Sequence, residues 1–145
     1  MVLSGEHDAT TDEKGRLTLP AAFSQLIEQG PYVTLVGPKV LALWPSADFE
    51  KKAAEVKAQE NSGPEGLRRL RVFTGNANPI KFDSQRRATI PENLRRRWDV
   101  GPKTPVMYVG VYDRVEVWDA ATYESYLRQG EQAAAAQAEQ CQWPT

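Results

Sequence analysis

Asp12-Glu13-Lys14-Gly15-Arg16-Leu17-Thr18-Leu19-Pro20 decides the fold, because a second version, Asp83-Ser84-Gln85-Arg86-Arg87-Ala88-Thr89-Ile90-Pro91, follows at an offset of 71 residues. Asp, Arg, Thr and Pro stand at the same places in both stretches, and the Gly-Pro pair at 30–31 recurs at 101–102. Further along, the offset grows to 74 residues, which aligns the hairpin ends at 43–44 and 117–118. Self-similarity at a nearly fixed offset indicates two copies of one structural unit.

Each copy has the pattern of a strand, a tight turn, a short strand, a short helix, a hairpin and a closing helix. In the first turn the Asp12 carboxylate can accept backbone N–H bonds, and Gly15 can adopt positive φ without a Cβ penalty. In the second turn Arg86 stands in the place of this glycine. Ser46 and Asp119 are predicted to cap the closing helices of the two copies.

A unit of about 45 residues buries little apolar surface alone, so the two copies are expected to interlock around one core. The predicted fold is mixed α+β and β-rich: two tandem units interlock as an intrachain pseudo-dimer, with short helices outside. Such pairing brings the two turns, and their four basic residues, to one side of the molecule. The predicted divisions are unit 1 at 5–48, linking helices at 49–76, unit 2 at 77–121, and a C-terminal helix and tail at 122–145.

The charge is unevenly distributed along the 145 residues. The net charge is −1, yet the segment 65–103 carries ten Lys or Arg residues against four Asp or Glu residues. The local field attracts a polyanion more than the total charge does, so the chain can present a basic face to nucleic acid. A solvated charged surface is the alternative interpretation.

Few residues are suited to catalysis or metal binding. The single cysteine, Cys141, excludes an intrachain disulfide, and with the single histidine, His7, it supplies no usual zinc set and little for nucleophile-base catalysis. We therefore expect no enzymatic activity, no catalytic residues, no metal and no cofactor. The apolar runs are too short to cross a bilayer, and no secretory signal is evident, which predicts a cytoplasmic protein.

The Asp-x-x-Gly-Arg sequence at 12–16 resembles the signature of the MraZ family, bacterial transcriptional regulators built from two AbrB-like swapped-hairpin halves. The resemblance extends from Gly5 to about Tyr126 and includes the stretch Trp118–Tyr123. It implies a DNA-binding repressor associated with the nucleoid, acting at short repeated boxes in the promoter of the division and cell-wall gene cluster. It also implies two partners: double-stranded DNA and further copies of the chain in a ring-shaped homo-oligomer.

The resemblance places the family's DNA-contacting arginine at Arg16 in the first turn and Arg87 in the second. An arginine after a rigid turn can make paired hydrogen bonds to guanine or phosphate, and Lys14 would supply a phosphate contact. Arg86 either adds a phosphate contact that offsets a strained turn or marks a turn that no longer reads bases. Three further residues are expected to support the turns: Asp12, Gly15 and Asp83.

Three alternatives remain open at this point. Arg16 and Arg87 can instead form ion pairs with acids of the opposite half, and the run Arg95–Arg97 can favour the negative end of a helix dipole. The alternative function is an AbrB-like module that binds a protein partner, as an antitoxin-type regulator does.

Overall fold

The computed structural model describes residues 1–139, so Cys141 and the predicted tail beyond Glu139 lie outside the described residues. The strands are β1 (Glu6–Thr10), β2 (Leu17–Thr18), β3 (Tyr32–Gly37), β4 (Val40–Trp44), β5 (Asn78–Pro79), β6 (Arg87–Ala88), β7 (Pro105–Gly110) and β8 (Val115–Asp119). The α-helices are α1 (Ser46–Ala58), α2 (Pro64–Gly75), α3 (Glu92–Trp98) and α4 (Ala120–Glu139), and a 3₁₀ helix covers Ala21–Gln29.

Antiparallel strands form two sheets. The larger sheet has the order β1-β7-β8-β4-β3-β5, and β2 pairs with β6 in a short ribbon. If each strand is replaced by its counterpart in the other copy, the order of the larger sheet is the same from either end. The structure thus confirms the predicted mixed α+β fold with two interlocked copies.

A pseudo-twofold axis passes through both sheets. In the ribbon, Leu17 pairs with Ala88, which is the same position in the second copy. In the large sheet, Ala42 of β4 pairs with Glu116 of β8, again equivalent positions. The two copies therefore meet each other as the subunits of a symmetric dimer would.

One core is built from both copies. Leu19 and Leu26 of the first copy and Leu94 and Trp98 of the second are all fully buried in the same apolar cluster. Burial of apolar surface is the main favourable term in folding, and here neither copy supplies that surface alone.

The helices begin in two ways. At α4, the Asp119 carboxylate accepts hydrogen bonds from the Thr122 backbone N–H at 3.0 Å and the Thr122 hydroxyl at 2.8 Å, which is the predicted cap. At α1, the prediction for Ser46 is wrong: Ser46 is already helical, Pro45 occupies the cap position, and no side chain caps the helix. No helix among the described residues is long and apolar enough to span a membrane.

Candidate nucleic-acid interface

The first basic turn is built around one carboxylate. Asp12 Oδ1 accepts the backbone N–H groups of Lys14 at 2.9 Å and Arg16 at 2.8 Å, and Oδ2 accepts Arg16 Nε at 2.6 Å. The Gly15 N–H closes the turn on the Asp12 carbonyl at 3.0 Å. Asp12, which shapes the turn, thus also holds the Arg16 side chain through its Nε atom.

The second basic turn repeats this arrangement. Asp83 Oδ1 accepts the backbone N–H groups of Gln85 at 2.8 Å and Arg87 at 2.9 Å, while Oδ2 accepts Arg87 Nε at 3.2 Å. Arg16 and Arg87 therefore pair with the acid of their own turn, and not with an acid of the opposite half. Within residues 1–139, no hydrogen bond involves the Nη atoms of either arginine.

Arg86 adopts the same backbone region as the glycine it replaces. Its φ is 61°, against 76° for Gly15. The Arg86 Nε donates to the Leu19 carbonyl at 3.0 Å, and the Leu19 N–H donates to the Arg86 carbonyl at 2.8 Å. The positive φ of Arg86 is costly for a residue with a side chain. It occurs together with two hydrogen bonds to Leu19 that join the two copies.

The ribbon directs the two arginines outward. Leu17 and Ala88 are buried, and side chains alternate along a strand, so Arg16 and Arg87 lie on the opposite face, where their side chains are 27% and 34% exposed. Both line one shallow depression together with Lys81. The structure brings these arginines together: Arg87 lies on β6, and Arg16 immediately precedes β2, the strand with which β6 pairs.

Lys14 lies in a neighbouring depression with residues from the second copy. The Arg95 Nη2 atom donates to the Lys14 carbonyl at 2.6 Å, and the Lys103 N–H donates to the Asp12 carbonyl at 3.1 Å. Sequence reasoning assigned Arg95 only to the end of its helix. Its contact with the first turn joins parts of the chain that only the interlocked fold brings together.

The turn carboxylates are held in their charged form. Partial burial raises the pKa of Asp12, but the Arg16 backbone N–H, the Arg16 guanidinium and the Lys14 backbone N–H outweigh it, leaving the pKa below its ordinary 3.8. For Asp83, the Arg87 backbone N–H is the largest influence and lowers the pKa; burial opposes it, and the Gln85 N–H adds to it. Hydrogen bonds to a carboxylate favour its ionised form.

Comparison with known proteins matches this duplicated architecture. The family model described as "MraZ protein, putative antitoxin-like" matches residues 2–71 and again residues 73–142, so each match contains one basic turn. The chain belongs to the MraZ family. The predicted family is therefore confirmed.

Curated relatives in the MraZ family are similar over most of their length. "Transcriptional regulator MraZ" of Clavibacter michiganensis subsp. michiganensis (strain NCPPB 382) is 33% identical over 136 residues, which is 94% of each chain. The proteins of the same name from Salinispora arenicola (strain CNS-205) and Mycobacterium sp. (strain KMS) are 33% and 35% identical, over 88% of each chain. The family is thus one of transcriptional regulators, a class that is generally not enzymatic.

This MraZ-family chain also has a wide cleft away from its basic turns. The cleft, about 1040 Å³ in volume, is lined by α1, α2, α4 and the hairpin strands. Four cationic side chains line the cleft: Lys51, Lys52, Arg69 and Arg114. Of these, Arg114 lies 5.2 Å from the Trp44 ring centroid and is paired through Nη1 with Asp113 at 2.8 Å and through Nε with Glu116 at 3.2 Å. This arginine is already neutralised, and the unpaired Nη edges of Arg16 and Arg87 lie outside the cleft.

Metal binding has no evident place in the part of the chain that the structure describes. Residues 1–139 hold no group of three or more His, Cys, Asp or Glu side chains that could coordinate a metal ion.

Proposed function

We propose that this chain is a sequence-specific DNA-binding repressor that acts at repeated boxes in the promoter of the division and cell-wall gene cluster. It would work in the cytoplasm at the nucleoid, as a ring-shaped homo-oligomer. Membership in a family of transcriptional regulators supports this proposal, and the geometry of the two turns supports the choice of contact residues.

The observation that carries the proposal is the pair of half-buried, aspartate-braced arginines beside one short ribbon. Each arginine uses Nε to bond its turn aspartate, which fixes the plane of the guanidinium and leaves its Nη edge free within the described chain. That free edge is suited to bidentate hydrogen bonding with guanine O6 and N7 or with phosphate. Arg16 and Arg87 are therefore the proposed direct contacts.

The remaining basic residues have a different role in this proposal. Lys14 is exposed at the tip of the first turn and would bind phosphate, which positions the protein without reading sequence. The Arg86 Nε donates to the Leu19 carbonyl, so only the end of the side chain beyond Nε would contact the DNA backbone. Asp12, Gly15 and Asp83 would shape the turns and not touch DNA.

Two short turns bury little DNA surface, which is why we propose a ring. When several subunits present their turns to successive boxes, the first contact raises the effective concentration of the next. Repeated boxes at a regular spacing would then be bound much more tightly than a single box.

Fluorescence anisotropy on DNA tests the proposal. The probes are a labelled duplex from the chain's own division-cluster promoter and a scrambled duplex of equal length, each titrated at several salt concentrations. Wild type should prefer the promoter, and Arg16→Ala should lose that preference. Each lost phosphate contact should reduce the slope of log affinity against log salt by about 0.9.

Arg128→Ala is the matched control. It removes the same charge from an exposed position in α4, far along the chain from both turns. The control should keep the wild-type preference. Promoter preference that survives Arg16→Ala unchanged would count against the proposed contact.

The second candidate is a regulator that binds a protein partner, as an antitoxin does. The words "antitoxin-like" in the family description favour keeping it. It predicts equal, shallow binding of both duplexes and one stoichiometric protein partner in a pull-down. Promoter preference lost in Arg16→Ala would reject it as the main function.

A further inference from the structure

The two basic turns are held differently, although their internal bonds are the same. Residues of the second copy bond the first turn from outside: Arg95 Nη2 donates to the Lys14 carbonyl and the Lys103 N–H donates to the Asp12 carbonyl. Within residues 1–139, the second turn receives no such bond at Asp83–Gln85, and its outside contact is the Arg86–Leu19 pair at one end.

The difference originates in the sequence of the two copies. The position equivalent to Arg95 in the first copy is Ser24, since Phe23 aligns with Leu94. A serine side chain is far shorter than an arginine side chain, and Ser24 makes no side-chain hydrogen bond in the described chain. The second turn therefore lacks the clamp that Arg95 provides to the first.

We infer that Arg95 is a positioning residue that fixes the first turn for base reading, so that Arg16 supplies most of the sequence discrimination and the second turn mainly anchors the DNA backbone. This inference rests on the proposed DNA-binding function.

Rigidity is the physical reason for this division of roles. A donor held in its binding geometry loses less conformational entropy when it binds, and base reading depends on that geometry more than phosphate contact does. The Arg95 guanidinium also packs close to Gly15: a Cβ built on that glycine would lie 3.5 Å from Nη2. Arg95 thus bonds the Lys14 carbonyl and lies close to Gly15.

The contacts of the three arginines distinguish positioning of the first turn by Arg95 from a general charge effect at the end of α3. Arg95, Arg96 and Arg97 all lie in the last turn of α3, so each would favour the helix dipole. Arg97 bonds the Asn76 side chain, and only Arg95 bonds the first turn. Loss of Arg96 therefore removes the same charge from the same helix while leaving the turn contact in place.

The test compares Arg95→Ala, Arg95→Lys and Arg96→Ala on the promoter and scrambled duplexes. The preference is the ratio of the two dissociation constants at one salt concentration. Arg95→Ala should lower this ratio by up to about tenfold, because the released turn must then be ordered when it binds the promoter. Arg95→Lys should recover part of it, because an ammonium group can still donate to the Lys14 carbonyl.

A second measurement, made without DNA, tests positioning directly. Backbone ¹⁵N order parameters at Lys14 and Gly15 should fall in Arg95→Ala and stay at wild-type values in Arg96→Ala. Thermal unfolding of each variant shows whether the fold is intact. If Arg95→Ala does not unfold cooperatively, Arg95→Lys decides the question.

Each outcome has a defined meaning. A preference reduced in Arg95→Ala but kept in Arg96→Ala, with Arg87→Ala weakening both duplexes equally, supports the inference. If wild type prefers the promoter but Arg95→Ala keeps the full ratio, or Arg87→Ala abolishes it as Arg16→Ala does, the inference is wrong and the proposed function stands. If wild type shows no preference, both are overturned.

Discussion

Asp12 and Asp83 use both carboxylate oxygens inside their own turns. Each accepts two backbone N–H groups through Oδ1 and an arginine Nε through Oδ2. A carboxylate so occupied does not repel DNA as a free one would, because an adjacent guanidinium balances its charge. The acid also fixes the direction of the arginine, which a lone arginine on a turn could not achieve.

The pH dependence of stability should report on these two carboxylates. Their folded-state pKa values lie below 3.8, so their stabilisation is present above pH 3.8 and is lost as the pH falls through the folded-state values. We expect the double variant Asp12→Asn, Asp83→Asn to show a smaller loss of unfolding free energy than wild type between pH 5 and pH 2. Urea unfolding across that range measures it.

Asp8→Asn is the control for this experiment. Asp8 is exposed on β1 and its side chain makes no hydrogen bond within residues 1–139. Removing its carboxylate should leave the wild-type pH dependence in place. An unchanged dependence in the double variant would show that the turn bonds contribute nothing to acid stability.

Arg86 shows what sequence can and cannot predict at the scale of one residue. Alignment with Gly15 shows that the second turn requires positive φ from a residue ill suited to it, and the structure has φ at 61°. The bond from Arg86 Nε to the Leu19 carbonyl was not predictable, because it joins residues far apart in the chain. The bond from Arg95 to the Lys14 carbonyl was not predictable for the same reason. The assignment of DNA contacts stays a prediction.

At the scale of elements, the starts of α4 and α1 differ in whether the capping residue could be predicted from its type. Asp119 follows β8 directly and caps α4 as its residue type suggests. Ser46 has an equally favourable side chain but follows Pro45, and the Phe49 N–H already bonds the Pro45 carbonyl. The helix therefore begins one residue earlier than predicted, which leaves the serine hydroxyl without a capping role.

Alanine substitutions at the two helix starts should differ accordingly. Asp119→Ala removes two hydrogen bonds to Thr122 and should lower the free energy of unfolding by about 1 kcal/mol. Ser46→Ala removes no capping bond and should stay within about 0.5 kcal/mol of wild type. Chemical denaturation of both variants tests this, and equal losses would contradict the assignment of the two starts.

At the scale of the whole molecule, the repeat in the sequence predicted the interlocked architecture but not its pairings. Duplicated turns and hairpins imply a pseudo-dimer, since each copy is too small to form a core. The pairing of β4 with β8, which joins two hairpins into one sheet, depends on register and could not be derived from the offsets. It places Ala42 opposite Glu116 on the pseudo-twofold axis.

Separation of the copies should therefore destroy the fold of each. A cut between Ser62 and Gly63 leaves β3–β4 as the described pairing within the first fragment and β7–β8 within the second, while β1–β7, β4–β8, β3–β5 and β2–β6 all cross the cut. We expect neither fragment to unfold cooperatively as a monomer. Mixing them should restore the transition, as followed by circular dichroism.

Ala42 and Glu116, which lie opposite each other on the pseudo-twofold axis, allow a further prediction. Each fragment can also pair with a second copy of itself. Self-pairing of residues 1–62 would set Ala42 against Ala42, whereas self-pairing of residues 63–145 would set Glu116 against Glu116. Like charges directly opposite each other on neighbouring strands are unfavourable. We expect sedimentation to show a tighter homodimer for the first fragment, and Glu116→Ala should strengthen the second. A second fragment that dimerises as tightly with Glu116 as without it would show that the axis pairing does not control assembly.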